Sequence, residues 1–182
     1  QQRLLAAIAD LERNTRHLQE SVMSIRMIPM SFVFSRFPRM LRDLAAKLGK
    51  QIELKMVGEA TELDKGLIEK IIDPLTHLVR NSVDHGIETP AQRLAAGKAA
   101  SGTITLSAAH QGGSVLIEVR DDGAGLSRER ILSKARARGL PLRDDMADAE
   151  VWSLIWAPGF STAESLSDVS GRGVGMDVVR RN

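Results

Sequence analysis

Two alternating runs separated by a double glycine constrain this chain more than anything else in it. Ile104, Leu106 and Ala108 alternate with Thr and Ser, and Val115, Ile117 and Val119 alternate with Leu, Glu and Arg. Period-two alternation marks a half-buried strand, and Gln111-Gly-Gly113 between the runs is a hairpin turn. Two strands alone are marginal in water. The rest of the chain must supply a core, and 43% hydrophobic content over 182 residues is enough for one. A third alternating run, Ile52, Leu54 and Met56 with Glu53 and Lys55 between them, adds another half-buried strand.

Helical patterns surround these strands. From residue 4 to 25, Leu4, Ile8, Leu11, Thr15, Leu18, Val22 and Ile25 recur at spacings of four and three, the seam of a coiled coil or bundle. Such a helix needs a partner. Met27-Ile28-Pro29 ends the period, because Pro29 removes a donor and disfavours helix in the residue before it. A second pattern places Phe34, Phe37, Leu41, Leu44 and Leu48 on one side, with Pro38 implying a late start or a kink and Gly49 a C-terminal stop. Thr61-Glu-Leu-Asp64 predicts a capping box with Asp for Glu, and Asp73-Pro74 predicts a restart of the helix. Ile87 to Gly102 reads as a short helix or loop, residues 127 to 139 as a charged short helix, and Asp144 to Trp156 as another. Pro158 to Ser170 has the composition of a loop, and a new helix begins near Met176.

The stretch His77-Leu-Val-Arg-Asn81-Ser-Val-Asp84-His85-Gly86 concentrates chemistry. At ~100° per residue, His77, Asn81, Asp84 and His85 share one arc opposite Leu75, Leu78, Val79 and Val83. Two imidazoles, a carboxamide and a carboxylate can coordinate, donate and accept, although an ordinary capped amphipathic helix has the same pattern. Asp121-x-Gly123-x-Gly125, at the end of the second hairpin strand, suits either a tight turn or a carboxylate that accepts from an exocyclic amine of a flat ligand. Gly171-x-Gly173-x-Gly175 opens a helix, where free N–H groups and the dipole favour phosphate. The spacing is not the Gly-x-Gly-x-x-Gly of a dinucleotide fold, and no Gly-Lys-Ser/Thr of a Walker loop follows.

Composition excludes several classes. With no cysteine there is no disulfide framework or thiolate metal site, which favours a reducing compartment. No run approaches ~18 apolar residues and no signal-peptide anatomy is present, so the expectation is a soluble cytoplasmic protein without membrane insertion. A net charge of +2 with acids and bases interspersed, no Tyr and 3% aromatics argue against nucleic acid. The first residue is not Met, which suggests a fragment.

In combination, the His/Asn-faced helix, the Asp-x-Gly-x-Gly strand end, Pro158-Gly-Phe160-Ser-Thr162 and the second glycine cluster resemble the GHKL (Bergerat) ATP-binding fold of histidine kinases, DNA gyrase, Hsp90 and MutL. More narrowly, the wording of His77 to Glu88, Ser24-Ile-Arg-Met-Ile-Pro29, Arg36-Phe-Pro-Arg-Met40, Pro158 to Thr162 and Ser170 to Asp177 resembles the chemotaxis histidine kinase family, in matching order over nearly the whole chain.

That resemblance implies an α+β fold, a two-layer sandwich with a mixed sheet, preceded by a heptad-patterned dimerisation helix. Residues 1–30 would be the second helix of a dimerisation hairpin, and 31–182 the ATP-binding catalytic domain without its last strands. It implies ATP and Mg²⁺ as cofactors, with Asn81 supplying an oxygen to the metal and His77 standing where hydrolysing relatives carry a water-activating Glu. Asp121 would read the adenine amine, with Gly123 and Gly125 making room for the ring. Gly171, Gly173 and Gly175 would lie on the phosphate side of a lid anchored by Phe160, and Asp84, His85, Arg130 and Lys134 would line the nucleotide.

The implied activity is an ATP-dependent protein-histidine kinase whose acceptor histidine lies on a separate phosphotransfer domain of the same kinase. His17, followed by Leu18-Gln-Glu20-Ser, lacks the acceptor pattern and is expected to be a solvated flank of the bundle. Response regulators, chemoreceptors and a coupling adaptor would be partners through regions outside this chain, and the full-length protein would be a homodimer. The competing readings are a nucleotide-binding scaffold without turnover, and a GHKL ATPase of the gyrase or Hsp90 kind, against which His77 argues.

Overall fold

The computed structural model describes residues 2–157 and Phe160. The expected hairpin is its centre. Strand β4 (Gly102–Gln111) pairs antiparallel with β5 (Ser114–Asp121), from Ile104 opposite Asp121 to Gln111 opposite Ser114. Gly112 and Gly113 turn the chain with φ of 53° and 83°, a region that glycine enters without steric cost. Strand β2 (Ile52–Val57) lies parallel on the other side of β4, so the sheet is mixed, in the order β2-β4-β5.

Alternation decides which face is covered. Ile104, Leu106 and Ala108 are buried, and Ile52, Leu54, Met56, Val115, Ile117 and Val119 pack around them. Against this face lie α3 (Phe37–Leu48) and α4 (Lys65–Asn81), which contribute Phe37, Leu41, Ile68, Leu75 and Val79 to the same core. The result is a two-layer α+β sandwich. Pro38 sits in the first turn of α3, where its missing N–H costs nothing, so the helix starts late and needs no kink. Gly49 closes α3 in the left-handed region at φ 64°.

Two expectations about α4 are corrected. The cap is Asp64, whose carboxylate accepts the Gly66 N–H at 2.8 Å, and Thr61 caps nothing. The reason is a small second sheet: β1 (Met27–Pro29) pairs antiparallel with β3 (Glu62–Asp64), which keeps the chain extended up to Asp64. The Thr61 hydroxyl instead donates to the carbonyl of Ala108 at 3.1 Å, tying this loop to the hairpin. Nor does the helix restart at Pro74. α4 runs unbroken through it, because Ile68, Ile71, Ile72, Leu75 and Val79 stay in helical phase on both sides and their burial outweighs the roughly 3 kcal/mol that an interior proline costs.

Helix α1 (Gln2–Ile25) projects its seam into solvent. Leu4, Leu11 and Leu18 are 66%, 67% and 67% exposed, so this apolar seam lies uncovered among the described residues. A short turn of helix, α2 (Ser31–Phe34), links β1 to α3 and buries Val33 and Phe34. Among the described residues, no helix is long and apolar enough to cross a membrane.

Candidate functional site

The chemistry-bearing stretch is not one straight helix. After Asn81, residues Ser82–Gly86 widen into a π-turn, closed by the Ile87 N–H on the Ser82 carbonyl at 2.8 Å. Beyond Asn81 the ~100° phase no longer holds, so the single polar arc predicted from His77 to His85 is corrected. His77 and Asn81 remain half-buried on α4 and Asp84 half-buried on the wider turn, whereas His85 is exposed. Lys50, just past the α3 stop, reaches across to donate to the carbonyls of Val83 at 2.6 Å and Asp84 at 3.0 Å. Burial lowers the pKa of this ammonium below its usual 10.5, and the Asp84 and Glu88 carboxylates oppose that shift.

The π-turn delivers Gly86 directly against the end of β5. Asp121 has the same parity as Val115, Ile117 and Val119, so its carboxylate lies on the helix-facing side of the sheet. A Cβ on Gly86 would stand 3.0 Å from the nearest carboxylate oxygen of Asp121. A Cβ on Gly123 would stand 2.0 Å from the Gly86 carbonyl oxygen, which also accepts the Ala124 N–H at 2.9 Å. The Gly123 N–H donates to Asp121 Oδ1 at 3.0 Å, and the carboxylate retains further lone pairs for a ligand. Gly123 is therefore glycine because backbone lies where a side chain would be. Gly125 has open space around it but a φ of 72°, so its requirement is conformational.

Nothing in the sequence pattern singles out the group that holds this junction from outside. Helix α5 (Pro90–Ala95), opened by a Thr89/Gln92 capping box, buries Arg93 to 2% exposure. Its guanidinium pairs with Glu88 and with Asp122, both at 3.1 Å, and Nε donates to the Ala99 carbonyl at 2.7 Å. Lys98 pairs with Glu88 at 2.8 Å and donates to the carbonyls of Asp122 and Gly123. Two cations and two carboxylates thus form a balanced network. Glu88 and Asp122 are visible in the sequence as neighbours of motif residues, but Arg93 looks like any surface arginine on a short Ala-bearing helix.

A second, smaller core stands beside the first. Ile131 and Ala135 of α6 (Arg128–Ala137), Val151 of α7 (Asp148–Ser153) and Phe160 bury one another, with Phe160 at 2% exposure. The Arg138 guanidinium lies 5.9 Å from the Phe160 ring. Arg130 is exposed in the first turn of α6, its N–H on the Ser127 cap, and Lys134 is half-buried one turn later. Phe160, expected as an anchor, is buried in this second core. The expected roles of Gly171, Gly173 and Gly175, and of the residues flanking Phe160, fall outside the described residues.

Residues 70–181 match the family described as histidine kinase-, DNA gyrase B- and HSP90-like ATPase. The chain belongs to this ATPase family. The match spans the π-turn, the Gly86–Asp121–Gly123 junction and the second glycine cluster, so the features singled out by chemistry lie within the matched ATPase unit. The chemotaxis protein CheA of Salmonella typhimurium is 68% identical over 179 residues, which are 98% of this chain and 27% of that protein. CheA of Klebsiella aerogenes is 69% identical over 98% of this chain and 28% of its own length. CheA of Bacillus subtilis is 52% identical over 93% of this chain and 26% of its own. The chain spans about a quarter of the length of these relatives. As a member of this ATPase family, the chain uses ATP.

Proposed function

We propose that the chain is the ATP-binding catalytic core of a chemotaxis histidine kinase, which passes the γ-phosphate of ATP to a histidine on a separate phosphotransfer domain. The observation that carries this reading is the Gly86–Asp121–Gly123 junction, set in a chain that aligns with CheA proteins along nearly its whole length. Phosphoryl transfer asks a protein mainly for positioning and charge stabilisation. Asp121 accepts from the adenine amine on a rigid strand end. Asn81, a neutral oxygen donor on the last residue of α4, is the side chain that would hold Mg²⁺, a hard cation that keeps most of its waters. The metal, when bound with ATP, neutralises charge on the phosphates.

His77 stands one helical turn before Asn81, in place of the Glu that activates water in hydrolysing relatives, which favours transfer to another protein over hydrolysis. His85, Arg130 and Lys134 lie along the phosphate side in this reading and Asp84 lines the nucleotide, with the lid anchored by Phe160 and carrying Gly171, Gly173 and Gly175. His17, exposed on α1 and 4.0 Å from Glu20, is in this reading a solvated flank of the bundle and not the acceptor, because it lacks the acceptor's sequence context. The acceptor domain, response regulators, chemoreceptors and coupling adaptor engage the whole protein, which acts in the cytoplasm as a homodimer joined through a helical hairpin of which residues 1–30 supply the second helix. Residues 31–182 form the catalytic domain.

Titrating a fluorescent ATP analogue into the full-length protein with and without Mg²⁺ tests the reading. Metal-dependent binding, reduced in Asn81→Ala, is the expected result. Binding that ignores Mg²⁺, or label from ATP appearing as acid-labile phosphate on His17, would overturn it.

A further inference from the structure

We propose that Arg93 and Lys98 are positioning residues for nucleotide selection, clamping the two residues after Asp121 so that its carboxylate keeps the geometry that recognises an amine. The proposal rests on the reading of Asp121 as the adenine contact.

The β4–β5 ladder changes partners at its end. The Asp122 N–H still donates to the Thr103 carbonyl at 3.2 Å, but the Thr103 N–H turns to the Asp122 carboxylate at 2.8 Å instead of to its main chain. The Asp122 carbonyl is thereby released from the sheet. It is taken up by Arg93 at 3.2 Å and Lys98 at 3.1 Å, and Lys98 also holds the Gly123 carbonyl at 2.9 Å. The backbone that leaves Asp121 is fixed by two side chains from α5 and its following loop, no longer by strand pairing. Gly123 in turn donates to the Asp121 carboxylate, so a shift of this backbone turns the carboxylate with it.

The clamp is built for stiffness. Arg93 is 2% exposed, its fork shared between Glu88 and Asp122, while Glu88 bridges Arg93 to Lys98. Charge-assisted bonds of this kind are shorter and stronger than neutral ones, and a planar fork fixes direction as well as distance. Recognition by one hydrogen bond demands such support, because its strength falls steeply with angle and a recognition group must be held within about 0.5 Å.

The test compares binding of ATP with that of purine riboside triphosphate, which lacks only the exocyclic amine, in the full-length protein. Wild type should prefer ATP by about tenfold or more. Lys98→Met and Arg93→Lys should each lose most of that preference by weakening ATP while leaving the amine-free analogue as tightly bound as before. Variants that keep the wild-type ratio, or that weaken both nucleotides equally, would overturn the clamp and leave only a structural role. A wild type with no preference would instead remove the reading of Asp121 itself. If Arg93→Lys does not fold, the Lys98 variant decides alone, since that side chain is 35% exposed and its loss disturbs the core least.

Discussion

Gly86 and the Asp121 carboxylate touch across the gap between helix layer and sheet: a methyl group on Gly86 would lie 3.0 Å from one oxygen of Asp121 and 3.1 Å from the other. Gly86 has no positive φ, so alanine there meets no backbone strain, only the carboxylate. Gly86→Ala should fold normally and push Asp121 off its position, weakening ATP by about 1–2 kcal/mol. Calorimetric titration beside a thermal melt checks both halves.

Alanine at Gly123 should behave differently. Its Cβ would fall 2.0 Å from a main-chain oxygen that cannot rotate away. The cost belongs to folding, about 3 kcal/mol, and denaturant unfolding should detect it without any nucleotide present. Full stability in Gly123→Ala would mean that the junction is looser than these distances require.

Replacing the Asp121 carboxylate with a carboxamide keeps the shape and mismatches the donor pattern. Asp121→Asn should weaken ATP by ~1–3 kcal/mol, with the tertiary fold intact by near-ultraviolet circular dichroism. Unchanged affinity would disprove its assignment to adenine.

The clamp also carries a pH signature. Hydrogen bonding from Lys98, the largest effect, holds the Glu88 carboxyl below its usual 4.5, with Arg93 adding to it and burial opposing. Because the folded value is the lower one, the stabilisation is complete above pH 4.5 and is lost as pH falls through the folded value. Wild type should therefore lose more stability on acidification than Glu88→Gln does, and denaturant midpoints for the two should converge below that range.

Leu11 and Leu18 on α1 are two-thirds exposed and support no core of their own. Changing both to Glu should leave the domain's stability within about 0.5 kcal/mol of wild type. In the full-length protein the same change should abolish dimerisation through α1, which sedimentation equilibrium would show as a shift to monomer.

Much of the fold was legible from periodicity. Ile104 to Val119 announced the hairpin, its turn and its apolar face, and Gly49 announced the end of α3, because each is a local signal read in one segment. The errors were non-local. Thr61 looks like a cap until β1 pairs with the residues after it, and Asp73-Pro74 looks like a helix start until apolar residues on both sides fall in phase against one core. The site followed the same division. Asp121, Gly123 and the His77–Gly86 stretch are conspicuous by residue type, whereas the π-turn is a change of hydrogen-bond register that no residue spells out. Arg93 depends on Glu88 and Asp122, 29 residues further on, meeting in space, a pairing that only the folded chain displays.

The hairpin register makes the Gly112–Gly113 turn a distant ruler for the nucleotide site. From Ser114 to Asp121 the strand alternates faces at every residue, so the parity counted along the strand from the turn decides that the carboxylate lies on the helix side, about 23 Å from Ser114. One residue inserted between Val115 and Val119 would reverse that parity and swing Asp121 to the polar face, although no atom of the site had been altered. One residue added within the turn itself would leave both strands in step. Tolerance to insertion should therefore change from permissive to forbidding within two positions of Gly113, far from any residue that meets the nucleotide.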